Sequence, residues 1–239
     1  MSKTLNHGGL SRRHLLLGLG AGAALSLTGC MSAGGRAPIT AYAPQRPPVR
    51  PAVSPEYAAA YGPISDGGFN IPGIDFSRVD PQYLRREVDY FGAETPGTII
   101  IDTPTRFAYL VRPGNRAIRY GVGIGRDGFE WDGRARVQYK RQWPTWTPPR
   151  EMIARQPELE RFADGQAPGL DNPLGARALY LFQNGEDTLY RLHGTPEYWT
   201  IGRAVSSGCV RFMNHDIIDL YDRAEDGATV IVNQGPATV

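Results

Sequence analysis

"TIIIDTPTRFAYLVRPGNRAIRYGVGIGR", residues 98 to 126, decides the fold class. Residues 98–103 are an apolar, β-branched run of the buried-strand type. Residues 106–112 alternate and stop at Pro113-Gly114-Asn115, a turn signal, so residues 117–126 are the hairpin partner. In that partner, glycines 121, 123 and 125 share one face, with Val122 and Ile124 on the other. Glycine at alternate positions weakens a strand unless another group comes close, so a close approach is expected there.

The same grammar continues downstream. "ARVQYKRQW" (135–143) reads as a strand, and "PTWTPPREMIARQPEL" (144–159) as irregular chain with a short helix after Pro148-Pro149. "ARALYLF" (176–182), the Asn184-Gly185 turn and "TLYRLHG" (188–194) form a second hairpin. Asn214 is positioned to cap a helix carrying Ile217, Ile218 and Tyr221 at core spacing. Asp226-Gly227 turns the chain into a last strand, "TVIV" (229–232). The expected fold is mainly β, sandwich or barrel-like, with a few short helices.

The N-terminal part has another character. Residues 1–55 carry six lysines and arginines and no acid, while the whole 239-residue chain has a formal charge of +2. The remainder is therefore slightly acidic and leaves no basic nucleic-acid footprint. "SRRHLLLGLGAGAALSLTGC" (11–30) reads as an export signal of twin-arginine type, and "LTGC" resembles a site where a lipid is attached to Cys30. An ordinary secretory signal or an uncleaved anchor are the alternatives. Residues 31 to about 65 hold Pro38, Pro44, Pro47, Pro48, Pro51, Pro55 and Pro63, the composition of a semi-rigid tether or a disordered N-terminus. "DPQYLRREVDYFG" (80–92) fits a short helix or an extended lead-in. The expected organisation is 1–30 export signal, 31–95 linker and lead-in, 96–234 one β domain and 235–239 tail. The expected location is outside the cytoplasm, in the periplasm, lipid-anchored if Cys30 is processed.

Outside the leader the chain has two histidines, His193 and His215, and one cysteine, Cys209. That set lacks metal-ligand spacing, and no cofactor is expected. His215 is expected in the first turn of its helix, facing solvent. His193 ends a strand, its side chain on the face of Leu189 and Arg191. Cys209 follows sixteen residues later, a gap long enough to bring the chain back beside that strand end. An imidazole there takes the thiol's proton and makes it a nucleophile. The amides of Gly208 and Cys209 are candidate donors for a developing oxyanion. The bland reading, a small buried thiol and a structural histidine, stands beside this one. Papain-like and caspase-like enzymes differ in residue order or spacing.

"HGTPEYWTIGRAVSSGCVRF" (193–212) resembles the active-site signature of the L,D-transpeptidase catalytic domain, the YkuD-type family. The matching residues are His193, Gly194, Thr195, Ser206, Gly208, Cys209, Val210 and Arg211, with Asn214 and Asp216 downstream. "NPLGARALYLF" (172–182) is similar to the family's upstream segment. The resemblance covers roughly residues 96–234 and departs at Ser207, where many members have histidine. It implies acyl transfer on peptidoglycan stem peptides. Cys209 is then the nucleophile, His193 the proton donor and acceptor, and the Gly194 carbonyl the group that orients His193. Arg211, Ser206, Ser207, Tyr180 and Trp199 are candidate substrate contacts. Arg211 is expected on a stem carboxylate or on Asp216 or Asp219, and Trp146 joins the aromatic cleft walls. Residues 141–153 are a candidate flap over the cleft. The implied product is a 3→3 cross-link or a stem joined to an anchored protein. Hydrolysis of the same stems and a silent wall-binding lipoprotein are the other readings. Carbapenems are the expected acylating inhibitors.

Overall fold

The computed structural model describes residues 53–125, 132–206 and 209–234. Helix α1 (Pro55–Ala60) and a hairpin of β1 (Ile64–Asp66) and β2 (Phe69–Ile71) come first. They are followed by β3 (Arg86–Asp89), β4 (Ile99–Asp102), β5 (Phe107–Arg112), β6 (Arg116–Gly121) and β7 (Ile124–Gly125). Next are β8 (Gly133–Gln142), α2 (Arg150–Arg155), β9 (Arg177–Gln183) and β10 (Glu186–Thr195). Then come β11 (Ala204–Ser206), β12 (Val210–Met213), α3 (Asn214–Arg223) and β13 (Thr229–Asn233).

Nine of these strands form one mixed sheet in the order β12-β10-β9-β8-β13-β4-β5-β6-β3. β10 with β12 and β13 with β4 are parallel, and the other pairs antiparallel. The sheet curls towards closure. Gly123, just past β6, exchanges hydrogen bonds of 2.9 and 2.8 Å with Arg211 of β12. The β12 edge is thereby met by chain leaving the strand next to the opposite edge, which removes a free edge. The mainly β, barrel-like expectation holds.

Both predicted hairpins form, β5–β6 and β9–β10. Asn184 and Gly185 have φ of 52° and 86°, the two positive values that a type I′ turn needs. Alternation then divides the side chains. Ile99, Ile101, Leu110, Val137, Leu179, Leu181, Leu192, Val210, Phe212 and Val230 turn inward and pack with Ile217 and Leu220 of α3. Each such burial is worth about 1.5–3 kcal/mol against exposure. The close approach expected at the glycines is real: a Cβ on Gly121 would press on the Tyr83 backbone.

Residues 53–95 correct the linker reading. They fold with the rest of the domain, and β3 extends the sheet by pairing with β6. Tyr61, Ile74, Val79 and Leu84 are buried with Ile201 and Met213 in a second apolar cluster. Asp66 takes both terminal nitrogens of Arg177 at 2.7 Å and the Trp143 indole at 2.7 Å. Averaged composition hid these spaced anchors among the prolines. "DPQYLRREVDYFG" becomes a single 3-10 turn (Pro81–Tyr83) and then β3.

Candidate active site

β10 and β12 run parallel, with Leu192 opposite Val210 and His193 opposite Arg211. Leu192 and Val210 are fully buried in the core. Period-two alternation therefore puts Arg191, His193 and Arg211 on the other face, with Cys209 one residue before β12. By the same alternation Cys209, which precedes Val210, falls on the side of the sheet that His193 faces. Cys209 is partly exposed, and its Sγ lies 4.0 Å from the Leu189 carbonyl oxygen.

His193 is 5% exposed, and its Nδ1 is 2.6 Å from the Gly194 carbonyl oxygen. A carbonyl only accepts, so Nδ1 carries a proton towards Gly194. Burial pushes the imidazole pKa down to about 4, and the positive charges of Arg211 and Arg191 reinforce this. The Gly194 and Pro173 carbonyls oppose it. Burial likewise raises the Cys209 pKa, while the Arg191 main-chain amide and guanidinium pull it down. At neutral pH the resting pair is an uncharged thiol beside an uncharged imidazole. Such a pair can pass a proton from sulfur to nitrogen when an electrophile arrives.

Gly194 is required by what lies against it. A Cβ at that position would collide with Asn214 Oδ1. Asn214 is not the helix cap that its sequence position predicts. Met213 occupies the cap position of α3 without a side-chain cap bond, and Asn214 Oδ1 accepts from the Ala176 amide at 3.0 Å. Asn214 thus ties α3 to the start of β9, beside Gly194.

Residues 96–232 match the sequence model of the L,D-transpeptidase catalytic domain family, YkuD. The chain belongs to that family. Among curated relatives it is 34% identical over 139 residues to "Probable L,D-transpeptidase YbiS" of Escherichia coli K12, covering 56% of this chain and 43% of that protein. It is 33% identical over 146 residues to "Probable L,D-transpeptidase ErfK/SrfK" of the same organism, covering 59% and 44%. The chain thus spans less than half the length of these relatives. A solved Brucella melitensis structure titled "Probable carnitine operon oxidoreductase caia" is 45% identical, with a TM-score of 0.46, covering 67% of this chain and 95% of that one.

The other expected residues of this L,D-transpeptidase domain distribute as follows. Arg211 is 7% exposed; one terminal nitrogen is 3.3 Å from Glu197 Oε2. Its Nε and other terminal nitrogen are buried without a hydrogen-bond partner among the described residues. The expected pairing with Asp216 or Asp219 is corrected: those carboxylates lie 3.5 and 3.4 Å from Arg85, which sequence spacing could not bring to them. Tyr180 stands opposite Arg191 on β9, under its guanidinium at 4.5 Å and stacked on Tyr139 at 4.4 Å. Trp199 lies under the Arg78 guanidinium at 4.0 Å, and Trp146 packs with Phe162. Ser206 contributes backbone to β11. Cys30, Ser207 and Gly208, with the signal and tail segments, lie outside the described residues.

His215 also departs from expectation. It is in the first turn of α3 but 4% exposed, its Nε2 2.8 Å from the Gly62 carbonyl oxygen. The N-terminal segment covers it, and helical periodicity alone carries no sign of that cover. Sequence reasoning missed Asp187 and Glu197, the partners of Arg191 and Arg211. The charges were visible, but their pairing depends on how the strand bends.

Proposed function

We propose that this chain is an exported L,D-transpeptidase acting on peptidoglycan stem peptides through a thioester on Cys209. One observation supports the reading: His193 lies on the strand paired in parallel with the strand that Cys209 precedes, with its Nδ1 on the Gly194 carbonyl. The thiol proton passes to Nε2 as sulfur attacks the carbonyl between the diamino acid and the terminal D-alanine. The imidazolium returns that proton to the departing D-alanine amine, leaving the thioester. The amine of a second stem then attacks, His193 takes its proton, and the regenerated thiol recovers it. A protein lysine is the other acceptor this chemistry admits, and water gives hydrolysis. Arg211, its guanidinium incompletely paired, is the candidate for a stem carboxylate, with Ser206, Ser207, Tyr180 and Trp199 as further contacts. The Gly208 amide is the candidate oxyanion donor. Export to the periplasm and lipidation of Cys30 belong to the same proposal, supported by the Arg12-Arg13 and Leu-Thr-Gly-Cys30 patterns.

The experiment is muropeptide chromatography with wild type and Cys209→Ala in parallel. New dimers from the wild type alone support transfer, tripeptides alone support hydrolysis, and dimers from Cys209→Ala defeat the nucleophile assignment. Incubation with a carbapenem followed by mass spectrometry locates the acylated residue; an intact chain without adduct favours a silent module.

A further inference from the structure

Neighbouring strands β9, β10 and β12 each carry an arginine, and the three are held differently. Both terminal nitrogens of Arg191 meet the two oxygens of Asp187 at 2.7 Å, and those of Arg177 meet Asp66 in the same way at 2.7 Å. Arg211 has a single contact of this kind, one terminal nitrogen 3.3 Å from Glu197 Oε2. That is longer than the roughly 2.7–2.9 Å of a strong charge-assisted bond. Its Nε and other terminal nitrogen are buried without a hydrogen-bond partner among the described residues. Burial works against the Arg211 charge, and Glu197 supports it.

Glu197 is placed to let go. Its main chain is fixed: the amide donates to Thr195 Oγ1 at 3.1 Å, and the carbonyl accepts from the Thr200 amide at 2.9 Å and the Thr200 hydroxyl at 2.7 Å. Its side chain is 54% exposed, against 9% for that of Arg211. The carboxylate can therefore turn into water at little cost while the guanidinium stays where it is. Arg211 stands opposite His193 in the parallel pair β10–β12, and neighbouring strands lie about 4.8 Å apart. A carboxylate that replaces Glu197 comes to the strand beside His193. It also brings two oxygens to a guanidinium that Glu197 meets with one.

We propose that Glu197 is a stand-in carboxylate, which holds Arg211 in the resting chain and yields it to the terminal carboxylate of an incoming stem peptide. This rests on the reading of the chain as acting on stem peptides through Cys209 and His193. In that reaction His193 returns a proton to the amine of the departing D-alanine. The D-alanine carboxylate hangs from the carbon that carries this amine, so it is the stem carboxylate nearest the proton transfer. Glu197 then sets specificity. A stem with a free terminal carboxylate offsets the displacement of Glu197 from Arg211, and a stem with a neutral terminal amide does not. Glu197 acts through Arg211 and touches no reacting atom.

The test is calorimetric binding to the full chain carrying Cys209→Ala, so that no turnover intrudes. Two probes are used, a tetrapeptide stem ending in D-alanine and the same peptide with a C-terminal amide. The free acid is expected to bind about tenfold or more tighter than the amide. Glu197→Gln is expected to tighten the free acid by about two- to fivefold, a gain that a merely structural salt bridge does not give. Arg211→Met is expected to weaken it by about tenfold or more and to cancel the effect of Glu197→Gln. Arg211→Lys is expected to recover part of that loss. The comparison of acid with amide needs no change at Arg211, so it decides even if Arg211→Met fails to fold. Equal affinity for the two peptides, or free-acid binding that is unchanged or weaker in Glu197→Gln, overturns the proposal. A chain that binds neither peptide defeats the stem-peptide reading and this proposal with it, whereas binding indifferent to Glu197 defeats the exchange alone.

Discussion

His193 and His215 look alike in isolation. Each is buried, each has a ring nitrogen on a main-chain carbonyl, at 2.6 Å from Gly194 and 2.8 Å from Gly62, and each has its pKa lowered chiefly by burial. Their neighbours differ. His193 feels the charges of Arg211 and Arg191. His215 adjoins Asp216, a fully buried carboxyl that accepts from the Tyr61 hydroxyl at 2.9 Å and lies 3.5 Å from Arg85. Burial raises the Asp216 pKa to about 7, against the pull of Arg85 and Tyr61. The second cluster pins residues 61–85 onto α3, and the Arg85 amide donates to the Tyr61 hydroxyl at 2.6 Å. Shifted titration thus marks both places, and only the neighbouring groups tell them apart.

The sharpest way to break this contrast is to exchange the outcomes. His193→Gln is expected to cut dimer formation by about two to four orders of magnitude in a chain that still folds. His215→Ala is expected to leave turnover per folded molecule within a few-fold. It leaves the Gly62 carbonyl unpaired and lowers unfolding free energy by about 1–3 kcal/mol. Muropeptide rates beside urea midpoints read both, and a large rate loss in His215→Ala would erase the distinction.

The pH dependence of stability differs in sign between the clusters. Folded Asp216 holds its proton up to about pH 7, whereas an unfolded aspartate releases it near its ordinary value of 3.8. Its contribution therefore favours the fold at low pH and is lost as pH rises from about 4 to 7. Folded His193 stays neutral down to about pH 4, while the unfolded ring charges below 6.5. Its contribution is lost as pH falls through that window. Asp216→Asn is expected to become relatively more stable than wild type as pH rises from 5 to 7.5, and His193→Gln relatively more stable as pH falls from 6.5 to 4.5. Urea unfolding across pH checks both signs. Tyr61→Phe removes two hydrogen bonds, the one to Asp216 and the one from the Arg85 amide, and is expected to cost about 1–3 kcal/mol. Because the bond to Asp216 holds the Asp216 pKa down, its removal should move the Asp216 transition upward.

Much of the fold was legible. The β5–β6 and β9–β10 hairpins were readable because alternation and turn residues act over a few positions. The flanks and spacing that made His193 and Cys209 candidates are equally local. Asn214 misled: a residue good at capping was taken up by the Ala176 amide, across a gap in sequence. Residues 53–95 misled because Tyr61 and Leu84 find their apolar partners in Ile201 and Met213, far along the chain. Alternation placed Leu189 with Arg191 and His193, and the bulge removed it from that row.

From residue order alone came the strands, their turns and the histidine and cysteine proposed as a pair, because backbone preference and two-residue periodicity are properties of short segments. Folding in space chose the rest: the parallel seating of β12 on β10, the carbonyl that each buried histidine meets, and the acid that holds Arg211. Those outcomes depend on dielectric, distance and direction between groups remote in the chain, and such quantities exist only once the chain has closed on itself.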